Sequence, residues 1–290
     1  MAFPLVSVIV PTYNHAHYLG RALQSVIDQD YLNWELIVVD NHSSDNTDEV
    51  IKKFIDSRIT YLKIHNNGVI AASRNAGIRA SKGDWVAFLD SDDWWNANKL
   101  QTCCQCIDEK VDLIYHRMKI IDDRQSIFKR TSVNTWQVKS PVLRDLLLRG
   151  NPIVNSSVMI RKKLINQIGG INEQFDMVTA EDYNTWLQIA GVTESFRYIP
   201  KHLGNYLQHS QNTSRKDMSI PSRVACEKFM YSLNGRQLKR LESNFRFVSA
   251  LFKIRAGEDT TLRNNLWFCI CHGSFITKLK SIIVLIVSLK

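Results

Sequence analysis

The chain has 290 residues, 44% of them hydrophobic and 22% charged, and a formal net charge of +9. A chain of this length and composition buries one sizeable core or two small ones, which excludes a disordered protein. Residues 221–290 hold twelve Lys or Arg and four Asp or Glu. This excess of positive charge predicts an appended basic element that meets a polyanion or an anionic membrane.

Other features of the sequence argue against several classes of protein. Residues 1–10 are apolar but carry no basic leader, so we expect a first strand rather than a signal peptide. The six cysteines include one Cys-x-x-Cys spacing, Cys103 to Cys106, but no second such pair, which favours reduced core residues of a cytosolic protein over a zinc site. The apolar run at 282–289 is too short to span a bilayer. We therefore expect a cytoplasmic protein.

Strand and helix patterns alternate over the first 110 or so residues. Strands are expected at 7–11, 35–40, 59–64 and 85–89, and helices over about 19–27, 50–55 and 69–80. The apolar face of the second helix would hold Val50, Ile51, Phe54 and Ile55. Such alternation predicts an α/β fold, with a parallel sheet covered by helices on both faces.

Polar side chains follow three of these strands: Thr12, Tyr13 and Asn14, then Asp40, then the run from Asp90 to Asp93. The carboxyl ends of parallel strands lie side by side, so these groups should line one crevice. A strand that ends in Asp-x-Asp offers hard oxygen ligands to a cation. The alternative is a solvated turn with capping carboxylates. Neither Gly-rich phosphate motif is present, so a metal on Asp90 and Asp92 would hold phosphate here.

Four motifs, in this order along the chain, resemble the family 2 glycosyltransferases of GT-A fold. They lie at 7–14, at 38–47, at 73–78 (Ser-Arg-Asn-Ala-Gly-Ile) and at 88–93 (Phe-Leu-Asp-Ser-Asp-Asp). The resemblance implies a Rossmann-like, mainly parallel central sheet with a C-terminal helical extension. Residues 1–110 would bind a nucleotide sugar, residues 111–215 would carry the acceptor site and the catalytic base, and residues 216–290 would form the extension.

The resemblance also implies roles for individual residues of the donor site. Thr12, Tyr13 and Asp40 would hold the nucleotide base, and Arg74 would lie against the base or the phosphates. Asp90 would touch the ribose side, and Asp92 would bind the Mn²⁺ or Mg²⁺ that bridges the diphosphate. Pro11, Asn14 and Ser91 would belong to the same site. Surface packing is the alternative for Tyr13 and Arg74.

The second half of the chain contains the expected base. A strand is predicted at 155–161, and a helix after residue 180 would bury Tyr183, Trp186, Leu187 and Ala190. Glu181 and Asp182 would lie in its first turn, where acids are common for electrostatic reasons alone. By the resemblance, however, Asp182 is the catalytic base and Glu181 orients the acceptor or the base. The helix dipole should keep Asp182 ionised.

A loop near residue 209 resembles the family's final loop, in which an aromatic residue, an Arg and a His are frequent. Tyr206 and His209 match this pattern, whereas Leu207 stands at the Arg position and puts a phosphate contact in doubt. His209 is accordingly a candidate metal or phosphate contact. Simple exposure of this histidine is the alternative.

From residue 221 onward, apolar residues alternate with Lys and Arg in a helical, amphipathic pattern. One interpretation is a set of helices that pack on the catalytic domain and expose a solvated basic face. The other is peripheral docking to the anionic inner face of the cell membrane. Docking would suit an acceptor carried on a lipid pyrophosphate.

Together these features predict a metal-dependent, inverting transferase. It would move a sugar from a nucleotide sugar, most simply a UDP-sugar, to a glycan or lipid-linked acceptor in bacterial polysaccharide assembly, such as that of O-antigen. The alternative is a non-catalytic or regulatory sugar-nucleotide-binding module, which would not need Asp182. No nucleic-acid partner is expected, because the Asp-rich strand ends would repel phosphate.

Overall fold

The computed structural model describes residues 4–122, 131–209, 216–257 and 261–288. In these residues the strands are β1 (Val6–Thr12), β2 (Trp34–Asp40), β3 (Ile59–Lys63), β4 (Trp85–Phe88), β5 (Trp94–Trp95), β6 (Leu113–Asp122), β7 (Met159–Arg161) and β8 (Phe196–Gln208). The helices are α1 (Ala16–Ile27), α2 (Thr47–Lys52), α3 (Ile70–Ala80), α4 (Lys99–Cys104), α5 (Val142–Arg149), α6 (Lys162–Gln167), α7 (Glu181–Ala190), α8 (Ser219–Glu227), α9 (Gly235–Ala256), α10 (Leu262–His272) and α11 (Phe275–Ser288).

The chain divides into two compact units. The first comprises Met1–Val138, Pro152–Glu173 and Val192–Ser210, and the second comprises Lys139–Asn151, Gln174–Gly191 and Gln211–Lys290. The first unit holds the sheet, and the second is helical. The boundaries predicted at residues 110 and 215 separate the donor-binding, acceptor-binding and C-terminal parts of the chain by function. This functional division stays a prediction.

The sheet of the first unit has the strand order β3-β2-β1-β4-β7-β6-β8-β5 in the described residues. Strands β3, β2, β1 and β4 are parallel, as are β6 and β8. Strand β7 runs antiparallel between β4 and β6, and β5 runs antiparallel to β8. The predicted α/β class, with its mainly parallel sheet, is confirmed.

Helices cover both faces of β1, because alternate residues of a strand point to opposite sides. Val6, Val8 and Val10 share a core with Leu19 and Leu23 of α1. On the other face, the buried Ile9 lies directly against the backbone of α3 at Gly77. The expected placement of helices on both faces is therefore confirmed.

Two of the element predictions were wrong in part. Helix α2 ends at Lys52 because Phe54 N–H donates to Ile51 C=O only three residues back, and Ile55 is 97% exposed. The strand expected at 155–161 is a 3₁₀ turn, Asn155–Ser157, followed by the three-residue β7. Here Ser157 Oγ donates to Val154 C=O at 2.7 Å. This side-chain hydrogen bond stabilises a local turn in place of the backbone hydrogen bonds of a β-strand.

The second unit is built on the long helix α9. Asn234 and Gln237 form a reciprocal capping box at its start, and Gly257, with φ of +73°, follows its last turn. Ala250 of α9 packs with Leu262 and Leu266 of α10. The predicted helical extension is confirmed. Over the ranges given above, no helix combines the length and the apolar character needed to cross a membrane.

The contact between Ile9 and Gly77 can be tested by a pair of substitutions. A Cβ at Gly77 would lie 2.6 Å from Ile9 Cγ2, whereas a Cβ at Gly20 of α1 would meet only Val50 Cγ1 at 3.6 Å. Gly77→Ala should lower the free energy of unfolding by about 1–2 kcal/mol, because overpacking outweighs the gain in helix propensity. Gly20→Ala should raise it by up to about 1 kcal/mol. Urea unfolding followed by circular dichroism measures both, and equal effects would contradict the close packing.

Candidate functional site

The turns after β1 and β2 are joined by the side chain of Asn14. Thr12 and Asp40 are partners in the register of these strands, and Asn41 N–H donates to Thr12 C=O at 3.0 Å. Asn14 has a left-handed φ of 52°, which asparagine tolerates better than most residues. Its Oδ1 accepts from Ser44 N–H at 2.8 Å. The structure therefore brings the predicted residues at the ends of β1 and β2 together.

Asp40 is fully buried beneath this edge of the sheet. Its Oδ1 accepts from Ser43 N–H at 3.0 Å, and its Oδ2 accepts from Tyr61 O–H at 2.8 Å. Burial, followed by hydrogen bonds to Asp48 and Asp40, raises the pKa of Tyr61 above its ordinary value, so the phenol stays a donor. These bonds fix the Asp40 carboxylate, and its contact with a nucleotide base stays a prediction.

Three neighbouring residues of β1 and its turn differ in exposure. Pro11 is buried and pairs with Val39 in the ladder. Thr12 is buried, and its Oγ1 has no hydrogen-bond partner among the described residues. Tyr13 is 54% exposed. A buried hydroxyl without a partner beside an exposed aromatic ring is an arrangement that a planar ligand with polar edges could satisfy.

Asp90 follows β4 and is held from two sides. Arg74 Nη2 of α3 lies 2.9 Å from Asp90 Oδ1, and Asn155 Nδ2 donates to the same oxygen at 3.0 Å. Asp90 N–H donates to Ser156 Oγ at 3.1 Å. Arg74 is only 4% exposed. A buried guanidinium therefore orients the first carboxylate of the Asp-Ser-Asp-Asp turn.

Asp92, the third residue of this turn, meets His209 beyond the end of β8. His209 Nε2 lies 2.9 Å from Asp92 Oδ2, and the His209 side chain is buried. Ser91 Oγ lies 2.8 Å from His15 Nδ1. The ring centroids of His15 and His209 are 6.3 Å apart. The structure thus brings together Ser91, Asp92 and His209 and places His15 beside them, while their roles as ligands stay a prediction.

Asp93, the last residue of the turn, is buried and ties the turn to β8. Its Oδ1 accepts from Leu207 N–H at 3.1 Å, two residues before His209. Burial, and then the nearby charges of Asp92 and Asp90, raise the pKa of Asp93 well above its ordinary value. Leu207, which departs from the family pattern, therefore contributes its backbone to the site.

Three residues of this site were not predicted from the sequence: His15, Asn155 and Ser156. His15 follows the Thr-Tyr-Asn motif directly, and that position is the only signal that could have identified it. Burial lowers the pKa of His15, and His209 acts in the same direction, whereas Asp92 opposes them. Asn155 and Ser156 lie in the segment predicted as a strand. The segment is instead a 3₁₀ turn, and this turn directs both side chains toward Asp90.

The donor set at Asp92 and His209 fits a divalent cation. A carboxylate oxygen and an imidazole nitrogen converge, a combination that suits Mn²⁺ and related ions. Within the described ranges, no group of three or more His, Cys, Asp and Glu side chains could hold a metal. A cation here would take its remaining ligands from phosphate and water, as hard cations in nucleotide sites usually do.

The two predicted catalytic acids lie in the second unit, at the start of α7. Glu181 is 6% exposed, and Asp182 is half-buried. Asp182 Oδ1 lies 2.6 Å from Tyr183 N, and Asn151 Nδ2 lies 3.4 Å from Asp182 Oδ2. Thr179, just before this helix, has φ of +83°, a strained conformation for a β-branched residue.

The helix α7 itself is buried on more sides than the sequence predicted. The face with Tyr183 and Trp186 is buried, but so are Asn184 and Thr185. Their polar groups are satisfied within the unit, since Asn184 Nδ2 donates to Ala225 C=O and Thr185 Oγ1 donates to Glu181 C=O. The first turn of α7 is therefore set rigidly in its own unit.

Comparison with known proteins finds relatives of this chain. The family described as Glycosyl transferase family 2 matches residues 7–169. The UDP-Glc:alpha-D-GlcNAc-diphosphoundecaprenol beta-1,3-glucosyltransferase WfgD of Escherichia coli is 34% identical over 186 residues, which cover 64% of this chain and 69% of that protein. Three further curated relatives are matched over only 40% of their own length.

Two solved structures share the fold. Staphylococcus aureus TarS 1-349 in complex with UDP-GlcNAc has a TM-score of 0.67 at 20% identity and covers 92% of this chain and 80% of its own. The mannosyltransferase PcManGT from Pyrobaculum calidifontis, in complex with GDP-Man and Mn²⁺, has a TM-score of 0.65 at 17% identity, with 100% and 82% covered.

Substitution of Asp93 tests its role in the turn. Asp93→Asn keeps a carbonyl oxygen for Leu207 N–H, so the unfolding free energy should change little. Asp93→Ala leaves that buried N–H without its acceptor and should cost about 1–3 kcal/mol. The exposed Asp84→Ala serves as the control and should have no measurable effect. Urea unfolding gives the three values, and equal losses for the Asn and Ala variants would contradict the role of this hydrogen bond.

Proposed function

The chain belongs to glycosyl transferase family 2. We therefore propose that it transfers a sugar from a UDP-sugar to a hydroxyl group. The acceptor would be a glycan or a lipid-linked sugar in surface polysaccharide biosynthesis. The observation that carries the proposal is the contact of Asp92 with His209 beside the ends of β1 and β2. The name of the relative WfgD specifies UDP-Glc as donor and a diphosphoundecaprenol-linked acceptor, which supports the choice of donor and acceptor proposed for this chain.

Residues 1–110 would form the donor site. The exposed ring of Tyr13 would stack on the base, the free hydroxyl of Thr12 would donate to its edge, and Asp40 would accept from a base N–H. Arg74 and Asp90 would lie toward the ribose and the phosphates. The remaining members of this site are proposed to be Pro11, Asn14 and Ser91.

A divalent cation, Mn²⁺ or Mg²⁺, would be held chiefly by Asp92, with His209 and Asp90 as further candidates. Bound there, it would supply Lewis-acid stabilisation of the diphosphate leaving group. Arg21 Nη2 donates to Asp92 C=O at 3.1 Å and so fixes the backbone behind this carboxylate. Asp90 Oδ1 already accepts from Arg74 and Asn155, which favours Asp92 and His209 as the main pair. PcManGT, which shares the fold, was solved with Mn²⁺.

Asp182 would act as the catalytic base. Its carboxylate would take the proton of the acceptor hydroxyl while that oxygen forms a bond to the anomeric carbon and the bond to the diphosphate breaks. One such displacement inverts the centre, so an α-linked donor gives a β-glycoside. The amide of Asn151, near Asp182 Oδ2, would orient the carboxylate, and Glu181 would orient the acceptor or the base.

The remaining proposals concern the acceptor and the location of the protein. Residues 111–215 would carry the acceptor site together with the base. Residues 216–290 would bring the protein to the anionic inner face of the cell membrane, where a lipid-pyrophosphate acceptor lies. The protein would be cytoplasmic and peripheral on that membrane.

Nucleotide binding tests the donor site. We expect UDP to bind more tightly than GDP or dTDP in isothermal titration calorimetry with Mn²⁺, and to bind at least tenfold more weakly with a chelator. Asp92→Ala should lose this metal-dependent part, because one of two protein ligands is removed. Asp84→Ala, at an exposed acid of the same unit, should bind like the unchanged protein. Failure of every nucleotide to bind under any condition would overturn the donor site.

Transfer kinetics test the base. Asp182→Asn should lower kcat by about 10²- to 10⁴-fold, because the amide cannot take the hydroxyl proton. Its affinity for UDP should not change. Asp176→Asn, at an exposed acid of the same unit, is the matched control and should keep full activity. NMR of the product should show the inverted anomeric configuration.

Two outcomes of this experiment would contradict the proposal. Full transfer by Asp182→Asn would exclude this residue as the base. A protein that binds UDP and Mn²⁺ but transfers no sugar from any of a panel of UDP-sugars to any acceptor would instead be the non-catalytic module considered above.

A further inference from the structure

The helix α11 exposes its apolar side chains. Phe275 is 82% exposed, and six more large apolar residues on α11 are at least 42% exposed. They are Ile276, Leu279, Ile282, Ile283, Ile286 and Val287. Their spacing of three and four residues places them along one side of the helix, which we call the outer face of α11. Such a continuous exposed apolar stripe marks an interaction surface.

The opposite side of α11 is the more polar one, and it packs inward. Ser281 is fully buried, and its Oγ donates to Thr277 C=O at 2.8 Å. Val284 and Leu285 pack against a small core with Leu266 of α10. Water would favour the reverse orientation, with serine and threonine outside and isoleucine inside. The exposed face of α11 is therefore suited to an apolar environment.

A cavity of about 490 Å³ opens at the beginning of α11. Phe275 and Lys278 of α11 line it, so it adjoins the outer face. The first turns of α9 contribute Arg236, Lys239 and Arg240, and His272 comes from the end of α10. The lining contains no Asp or Glu. We call this the α9–α11 cavity.

The cations of the α9–α11 cavity have no carboxylate partner among the residues that the structure describes. In the described part of the chain, Arg236, Lys239, Arg240 and Lys278 form no ion pair. Arg240 Nε is buried and has no hydrogen-bond partner there. Glu242, the nearest acid on α9, is paired with Arg223 and Arg246. Four uncompensated cations around one cavity favour a phosphate or another polyanionic group.

We propose that α11 and the α9–α11 cavity form a docking site for an anionic phospholipid bilayer. The outer face of α11 enters the interface between headgroups and acyl chains, while the cavity receives a lipid headgroup phosphate. This proposal rests on the proposed function and names the residues by which the protein reaches the membrane. At about 1.5 Å per residue, a 14-residue helix is roughly 21 Å long, which suits a helix that lies in the interface plane.

Charge favours a bilayer over a second copy of this chain as the occupant. A symmetric pairing through the outer face would bring two identical basic cavities together, and like charges repel. An anionic leaflet instead supplies the opposite charge and an apolar layer at once. Lys280, exposed on α11 next to the exposed Leu279, can extend toward headgroups while its stem stays in the apolar layer.

Flotation of the full chain with lipid vesicles tests the proposal. We expect binding to phosphatidylcholine vesicles that contain about 30% phosphatidylglycerol, and at least tenfold weaker binding to pure phosphatidylcholine. Arg236→Gln with Lys239→Gln should weaken binding on the order of 25-fold, at about fivefold for each charge. Ile282→Ser with Ile286→Ser should abolish detectable flotation.

Matched controls separate a specific site from general charge and hydrophobicity. Lys52→Gln with Lys53→Gln removes the same charge from an exposed site in the first unit, and Leu32→Ser with Ile55→Ser removes exposed apolar side chains there. Both should float like the unchanged protein. Equal losses in a control and in its test variant would overturn the proposal, as would the absence of flotation with anionic vesicles.

Two further measurements make failure of this proposal distinguishable from failure of the proposed function. Light scattering after gel filtration would overturn docking if the chain is a dimer that Ile282→Ser with Ile286→Ser dissociates, since the occupant would then be a second copy. Metal-dependent UDP binding is measured on the same variants. Retained UDP binding without flotation would overturn only the docking site, whereas flotation without UDP binding would support docking while the donor site fails.

Discussion

The structure of the first unit depends on how three carboxylates are accommodated within four residues of one turn. Asp90, Asp92 and Asp93 would repel one another unless each had a partner of its own. Asp90 meets the guanidinium of Arg74, Asp92 meets the imidazole of His209, and Asp93 accepts from a backbone N–H of β8. Arg74 lies on α3, whereas Leu207 and His209 lie at and just beyond the end of β8. The turn therefore joins α3, β8 and the 3₁₀ turn at Asn155 at one edge of the sheet.

The strands that depart from a purely parallel arrangement also position the partners of these acids. Strand β7 is antiparallel to β4, and the 3₁₀ turn that precedes it supplies Asn155 and Ser156 to Asp90. Directly after the turn, β5 pairs with β8, which keeps the end of β8 close to Asp93. The same pairings thus build the sheet and position the acids. The likeness to TarS and PcManGT confirms the GT-A fold that the motifs implied.

The sequence predicted most elements of the first 110 residues because their signals are local. Buried parallel strands read as short apolar runs, and polar residues mark where they end. The contacts of the site are long-range: Ser91 is 76 residues from His15, and Asp92 is 117 residues from His209. Only the family resemblance suggested His209, and only the position directly after the Thr-Tyr-Asn motif could have pointed to His15. Where serine and asparagine side chains replace ladder bonds, as at 155–157, strand propensity misleads.

The C-terminal extension shows a different limit of sequence reasoning. A period of 3.6 residues predicts a helix with two unlike faces, but it does not say which face packs on the protein. Helix α11 resolves this choice against the usual rule, because Ser281 can be buried once its hydroxyl bonds to the carbonyl of Thr277. With this hydroxyl satisfied, the polar face of α11 can pack on α10. The isoleucine and leucine side chains of the other face are then exposed. The stability of the extension in water and the presence of an apolar partner are thereby linked, since the side chains that α11 leaves exposed are the ones that water disfavours most.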